Sequence, residues 1–193
     1  VKTSTKNRIL EAGAEIIHLK GFYHTGIQEI LSAAEVPKGS FYNYFKSKED
    51  FGLQLIDYFV EYYTHLSKDI LEDSTIPPLD RIRRLLLWFV EFFKSKDYAY
   101  GCPIGNLAQE MGDLSPAFRT KLKIALGSIV DIYSRLLAEA QREGTISDSL
   151  DVREAARFLV SSWHGALVHM KAVKGPEPLD NHIRFIFDRV LIA

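Results

Sequence analysis

Apolar residues along this chain recur at three- and four-residue intervals, and no stretch alternates apolar and polar positions long enough to make a strand. The pattern predicts an all-α protein of about nine helices. Ile9, Ala12, Ile16 and Leu19 mark the stripe of a first helix over about residues 6–20, and Gly21 ends it. Thr25 with Gln28 three later reads as a capping box opening a short helix to about residue 35. Pro37 and Gly39 break the chain before the run KGSFYNYF, and Ser47 with Asp50 starts a long helix to about residue 72.

Further on, Pro77 and Pro78 precede a helix over about 79–94 that is rich in Leu, Trp and Phe, and Cys102-Pro103 begins a short one to about 111. Ser115 caps a helix to about 143, where Gly144 stops it, and Asp151 with Glu154 opens another to about 174. Gly175-Pro176 separates that helix from a last one ending near Leu191. Three short helices therefore precede six mostly longer ones, as if a small module rode on a larger bundle.

Residues 25–45 read as helix, short turn, helix, the unit that lays its second helix in the major groove of DNA. Ile27, Ile30, Leu31 and Ala34 supply an apolar face, Val36 fills the turn, and Phe41 and Phe45, four apart, share one side of the second helix. Ser40, Tyr42, Asn43 and Tyr44 are left for groove and backbone contacts. An asparagine can pair bidentately with an adenine edge, and tyrosine hydroxyls commonly reach phosphates. Lys48 adds positive charge beside the next helix's N-terminus, where free N–H groups favour an anion. Lys2, Lys6 and Arg8 fit either a phosphate-seeking arm or a frayed terminus.

Composition refines this picture. Hydrophobic residues make up 47% and charged residues 25%, as in an ordinary globular protein. A formal net charge of −1 argues against nucleic acid until it is divided: residues 1–48 hold seven Lys/Arg against four Asp/Glu, and the remainder is acidic. Cys102 is the single cysteine, so no disulfide forms within the chain. The longest apolar run, 85–90, is too short to cross a bilayer, and VKTSTKNR lacks a signal-peptide core, so no membrane partner and a cytoplasmic location are expected. Enzymatic chemistry finds no support in the form of a phosphate loop, a His-Glu-x-x-His or a nucleophile elbow. His164 and His169 are five apart and share no helical face, so neither metal nor cofactor is expected.

The run TGIQEILSAAEVPKGSFYNYFKSKED behind KNRILEAGAEIIHLKGF resembles the tetracycline-repressor (TetR) family over about the first fifty-five residues. Carried onto this chain, the resemblance implies that Thr25, Lys38, Gly39, Ser40, Tyr42, Asn43, Tyr44 and Lys48 contact a double-stranded DNA operator. It further implies a DNA-binding domain over 1–48, an effector-binding and dimerisation domain over 49–193, and a homodimer paired through its last long helices. Glu35 stands where the family commonly has glycine, which would strain the backbone if φ is positive there. Pro37 replaces the usual Ser-like cap, which would shift the start of the second helix.

Two stripes fit such pairing: Leu122, Leu126, Ile129, Tyr133, Leu136 and Ala140 on one helix, and a wide apolar arc around Trp163 on the next. The family also keeps a small-molecule cavity. For it, Trp88, Phe92, Tyr98, Cys102, Asn106, Trp163 and His164 are the candidates, with Glu110 and His169 as further polar groups. Cys102 falls at the expected N-cap of a helix, where backbone donors favour a thiolate. The run from Gly101 also resembles a family subgroup with a Gly-Cys-x-x-Gly-Asn signature, which includes regulators of reductases that respond to electrophiles. That resemblance places Lys171 near the thiol and makes the pair a candidate redox or electrophile sensor. A lone cysteine is also a common small buried hydrophobe. A helical dimeric ligand-binding or interaction protein without operator binding is the rival reading.

Overall fold

A computed structural model describes residues 4–191, and every described helix follows the order expected from the sequence. The described residues form eight α-helices: α1 (Thr5–Lys20), α2 (Ile27–Ala33), α3 (Lys48–Leu71), α4 (Pro78–Lys94), α5 (Pro103–Met111), α6 (Pro116–Arg142), α7 (Val152–Val173) and α8 (Glu177–Phe185). A 3₁₀ segment, Lys38–Asn43, stands between α2 and α3, and a π turn, Ile186–Val190, follows α8. Among the described residues there is no strand, and no helix is long and apolar enough to cross a membrane.

Helix ends follow local chemistry. Ser4 accepts from the Asn7 amide, and Gly21, at φ +84°, ends α1 while donating to Ile17. Ser47 accepts from the Asp50 amide, and the Asp50 carboxylate accepts in turn from Lys46 N–H, so the box at the start of α3 forms with its return bond one residue early. Asp151 accepts from the amides of Arg153 and Glu154. The box expected from Thr25 and Gln28 does not form. Gly26 is the N-cap of α2, and the Thr25 hydroxyl reaches back to the Gly21 carbonyl instead. Before Gly175, Lys174 takes the left-handed conformation that closes α7.

The residues pack into two compact units. One takes the chain to Tyr63 together with Pro103–Ala125, so α5 and the start of α6 pack with the N-terminal helices. Its centre holds Ile9, Ile30, Phe41, Phe45, Phe51 and Phe118. The buried stripe of α1 is Ile9, Leu10, Gly13, Ala14 and Ile17, whereas Leu19, expected inside, is exposed. The rotation follows from close packing at the small residues: a Cβ on Gly13 would lie 2.4 Å from Phe51 Cζ and 3.4 Å from Ile30 Cγ2. Gly52 is as tight, with Phe118 and Phe22 ring atoms 2.4 and 2.5 Å from where a Cβ would stand. Any side chain at 52 would part those rings, an overpacking that costs about 1–3 kcal/mol.

The second unit comprises Thr64–Cys102 and the chain from Leu126. Ile82, Leu86, Phe93, Leu137, Leu159 and Met170 form its core. Arg81 is buried there; its Nη1 and Nη2 donate to Glu139 at 3.1 and 2.7 Å, and its Nε donates to the Ile76 carbonyl at 2.7 Å. Tyr133, Leu136 and Ala140, expected on an intermolecular stripe, are covered within the chain by this core. Apolar side chains face outward on α7 and α8, where Phe158 is 49% and Phe185 53% exposed, and on α4 at Leu87.

Candidate nucleic-acid interface

The sequence between α2 and α3 builds a small platform. Pro37 fixes an extended residue at φ −56°, after which Lys38–Asn43 wind into a 3₁₀ segment rather than an α-helix. Phe41 and Phe45 point inward: their ring centroids are 5.1 Å apart, and Phe51 from α3 lies 5.7 and 5.0 Å from them. Each phenylalanine buried this way stabilises the fold by about 1.5–3 kcal/mol. With that anchor in place, Lys38, Gly39, Tyr42, Asn43 and Tyr44 face solvent and Ser40 is half-buried. Tyr42 is 67% exposed, far more than packing would leave it. A Cβ at Gly39 would meet nothing within 4 Å, so the backbone is open to close approach there.

The turn before the platform is held from α1. Glu35 takes φ +53°, the left-handed region where glycine would be free of strain. Arg8 Nη2 donates to the carbonyls of Ala34 at 2.5 Å and Glu35 at 3.1 Å, and the Val36 amide donates to Leu31 at 3.0 Å. Arg8 is thus a clamp on the turn, and neither an arm nor a frayed end. Its partners lie more than twenty residues away, so no local signal marked it. Lys2 lies outside the described residues.

Thr25 differs from the other candidates. It is 1% exposed and its hydroxyl donates to the Gly21 carbonyl at 2.7 Å, so its side chain shapes the α1–α2 turn. Lys48, the first residue of α3, is half-buried. Its Nζ donates to the Tyr23 carbonyl at 3.2 Å and sits 4.7 Å above the Phe22 ring. Burial pulls its pKa below the ordinary lysine value, and the Glu110 carboxylate acts against that pull.

Glu110 was expected among the polar groups of an effector cavity. The structure places its carboxylate elsewhere: Oε2 accepts from the Phe22 amide at 2.8 Å and Oε1 from the Tyr23 amide at 2.6 Å. Of the other cavity candidates, Trp88 and Phe92 stack at 5.6 Å, and Trp163, only 8% exposed, meets the His182 ring edge-on at 5.2 Å. Phe92, Tyr98 and Cys102 pack partly buried against the second unit's core. His164 is half-buried, and burial lowers its pKa. Asn106 lies on α5 in the first unit, and Lys171 is exposed on α7. The Cys102 thiol precedes Pro103 at the start of α5, and the buried Tyr133 hydroxyl is raised well above its usual pKa by desolvation, with Cys102 adding to it. His169 belongs to neither group. It lines a groove of 380 Å³ between α7 and α8 with Phe158, Ser162, Ala166, Asn181 and Phe185.

Residues 9–55 match the family described as bacterial regulatory proteins, tetR family, and residues 78–186, more than half of the chain, match the tetracyclin repressor-like C-terminal domain. The chain belongs to the TetR family. It is 36% identical over 193 residues to the HTH-type transcriptional repressor DhaR of Mycobacterium sp. strain GP1, covering 98% of this chain and 94% of that one. Among solved structures, a regulatory protein TetR from Rhodobacter sphaeroides superposes with a TM-score of 0.88 at 36% identity, over 93% of this chain and 95% of that one. The reduced form of Escherichia coli NemR gives 0.88 at 28% identity, over 98% and 97%. As a TetR-family member the protein is a DNA-binding transcriptional regulator and not an enzyme.

Proposed function

We propose that this protein is a cytoplasmic repressor that binds a near-palindromic operator as a homodimer and leaves it when a small molecule or a thiol-reactive compound acts on the body. The DNA-binding segment is 1–48, and 49–193 carries dimerisation and effector binding. The observation that carries the reading is the platform itself: Tyr42, Asn43 and Tyr44 stand exposed on an anchor of three interlocked phenylalanines. Asn43 and Ser40 read base edges, while Tyr42, Tyr44, Lys38 and Lys48, with the open backbone at Gly39, hold phosphates. Thr25 serves the interface by setting the turn.

Pairing two copies through the exposed apolar face of α7 and α8 would set the two platforms about 34–36 Å apart, or a multiple of that spacing. The half-buried aromatics Trp88, Phe92 and Tyr98 support an effector site in the second unit, which also holds Trp163 and His164. Cys102 with Lys171 is the proposed electrophile sensor, in keeping with the Gly-Cys-x-x-Gly-Asn run. An effector releases DNA by binding the DNA-incompetent state more tightly than the competent one.

Fluorescence anisotropy on the DNA upstream of the protein's own gene tests the reading. Wild type should bind one sequence far more tightly than a scrambled duplex, with affinity falling steeply as salt rises. Asn43→Ala should relax the preference at one position of each half-site at a cost of about 1–3 kcal/mol. Equal affinity for the scrambled duplex would leave only a helical ligand-binding or interaction protein.

A further inference from the structure

Both contacts of the Lys48 ammonium are supplied by one dipeptide, the Tyr23 carbonyl at 3.2 Å and the Phe22 ring at 4.7 Å. That dipeptide is held in turn by one carboxylate on another helix, because Glu110 accepts from the amides of both Phe22 and Tyr23. Gly21 is what lets the carboxylate come so near. At φ +84° it turns α1 away, and a Cβ there would stand 3.0 and 3.1 Å from the two Glu110 oxygens. The chain of support therefore runs from Glu110 through the Phe22–Tyr23 backbone to Lys48, all within the first packing unit.

From this geometry we infer that Glu110 is a positioning residue of the DNA interface: it fixes the Phe22–Tyr23 backbone on which Lys48 rests, and so aims the ammonium at a phosphate. The inference rests on the reading of Lys48 as a phosphate contact. An ammonium has three donors, and the Tyr23 carbonyl takes one, which leaves two for phosphate oxygens. A carboxylate close to a phosphate site would ordinarily repel the ligand. Here each oxygen of Glu110 already accepts a backbone N–H, and this draws its charge toward the turn. Glu110 does not touch DNA. Its effect reaches the nucleic acid through the lysine.

The experiment compares wild type, Glu110→Ala, Glu110→Gln and Lys48→Ala, and the Glu110→Ala/Lys48→Ala double variant, on an operator duplex over a salt series. Losing one phosphate contact lowers the slope of log affinity against log salt by about 1. Lys48→Ala and Glu110→Ala should each lower it by that amount, and the double variant should bind no more weakly than Lys48→Ala. Glu110→Gln keeps the volume but offers one acceptor oxygen and no charge. It should lose the same slope, which secures the test should Glu110→Ala fail to fold. If Lys48→Ala lowers the slope and the Glu110 variants keep the wild-type value, whatever their stability, the inference is overturned while the reading of the interface stands. If Lys48→Ala leaves the slope unchanged, the phosphate assignment fails, and the role of Glu110 fails with it.

Discussion

The Arg8 guanidinium closes the end of α2, donating to Ala34 and Glu35 across a separation of more than twenty residues. It gathers two carbonyls that the left-handed Glu35 turns toward α1. Charge-assisted bonds of this kind contribute about 1.5–3 kcal/mol. Arg8→Ala should therefore lower the unfolding midpoint and weaken operator binding together, because the same turn launches the platform. At position 35, a β-branched residue is poorly tolerated at positive φ whereas glycine is free of that strain. Glu35→Val should lower the thermal midpoint, and Glu35→Gly should not. Equal midpoints for the two variants would show that the turn relaxes.

Acid should loosen the second unit. His182 is buried against Trp163, with its Nε2 3.0 Å from the Ser162 hydroxyl, and desolvation lowers its pKa against a smaller opposing effect of the Leu159 carbonyl. His164 is lowered by burial as well. An unfolded histidine takes up its proton below about pH 6.5. Between that value and the lower folded one, the unfolded chain holds more protons, so stability falls as the pH falls and is fully present above about pH 6.5. Urea midpoints at about pH 7.5 and about pH 5.5 should show the decline, and His182→Gln should shrink the difference. An undiminished difference in the variant would move the effect to other groups.

Cys102 can be separated from its rival role as packing by chemistry. Wild type bound to operator should be released by a maleimide or by hypochlorite, and Cys102→Ser should bind the same DNA yet ignore both reagents. Lys171→Ala should keep the maleimide response, because alkylation needs only the thiol. Release of Cys102→Ser at the wild-type reagent concentration would remove the thiol from the mechanism.

What the sequence made legible was local. Gly21, Ser47, Asp50 and Asp151 announce helix ends through bonds to neighbours within four residues, and the structure forms them. Phe41 and Phe45 declare their burial by spacing alone. Thr25 misled because one hydroxyl had two local acceptable partners, the amide ahead and the carbonyl behind, and tertiary packing selected the second. Glu110 was illegible for a different reason: the amides it serves are 88 and 87 residues away. The same distance hid the packing of α5 with the N-terminal helices. Nor did the sequence mark the loop before Cys102, where Asp97, Tyr98 and Tyr100 all take positive φ without being glycine.

The layered arrangement of the 3₁₀ segment bears on how operator preference could be altered in the laboratory. Positions 40 and 43, the proposed base readers, lie outside the aromatic anchor, so randomising them explores sequence preference while leaving the scaffold intact. Randomising 41 or 45 would instead fill a library with clones that never fold, and selection would report stability where recognition was sought.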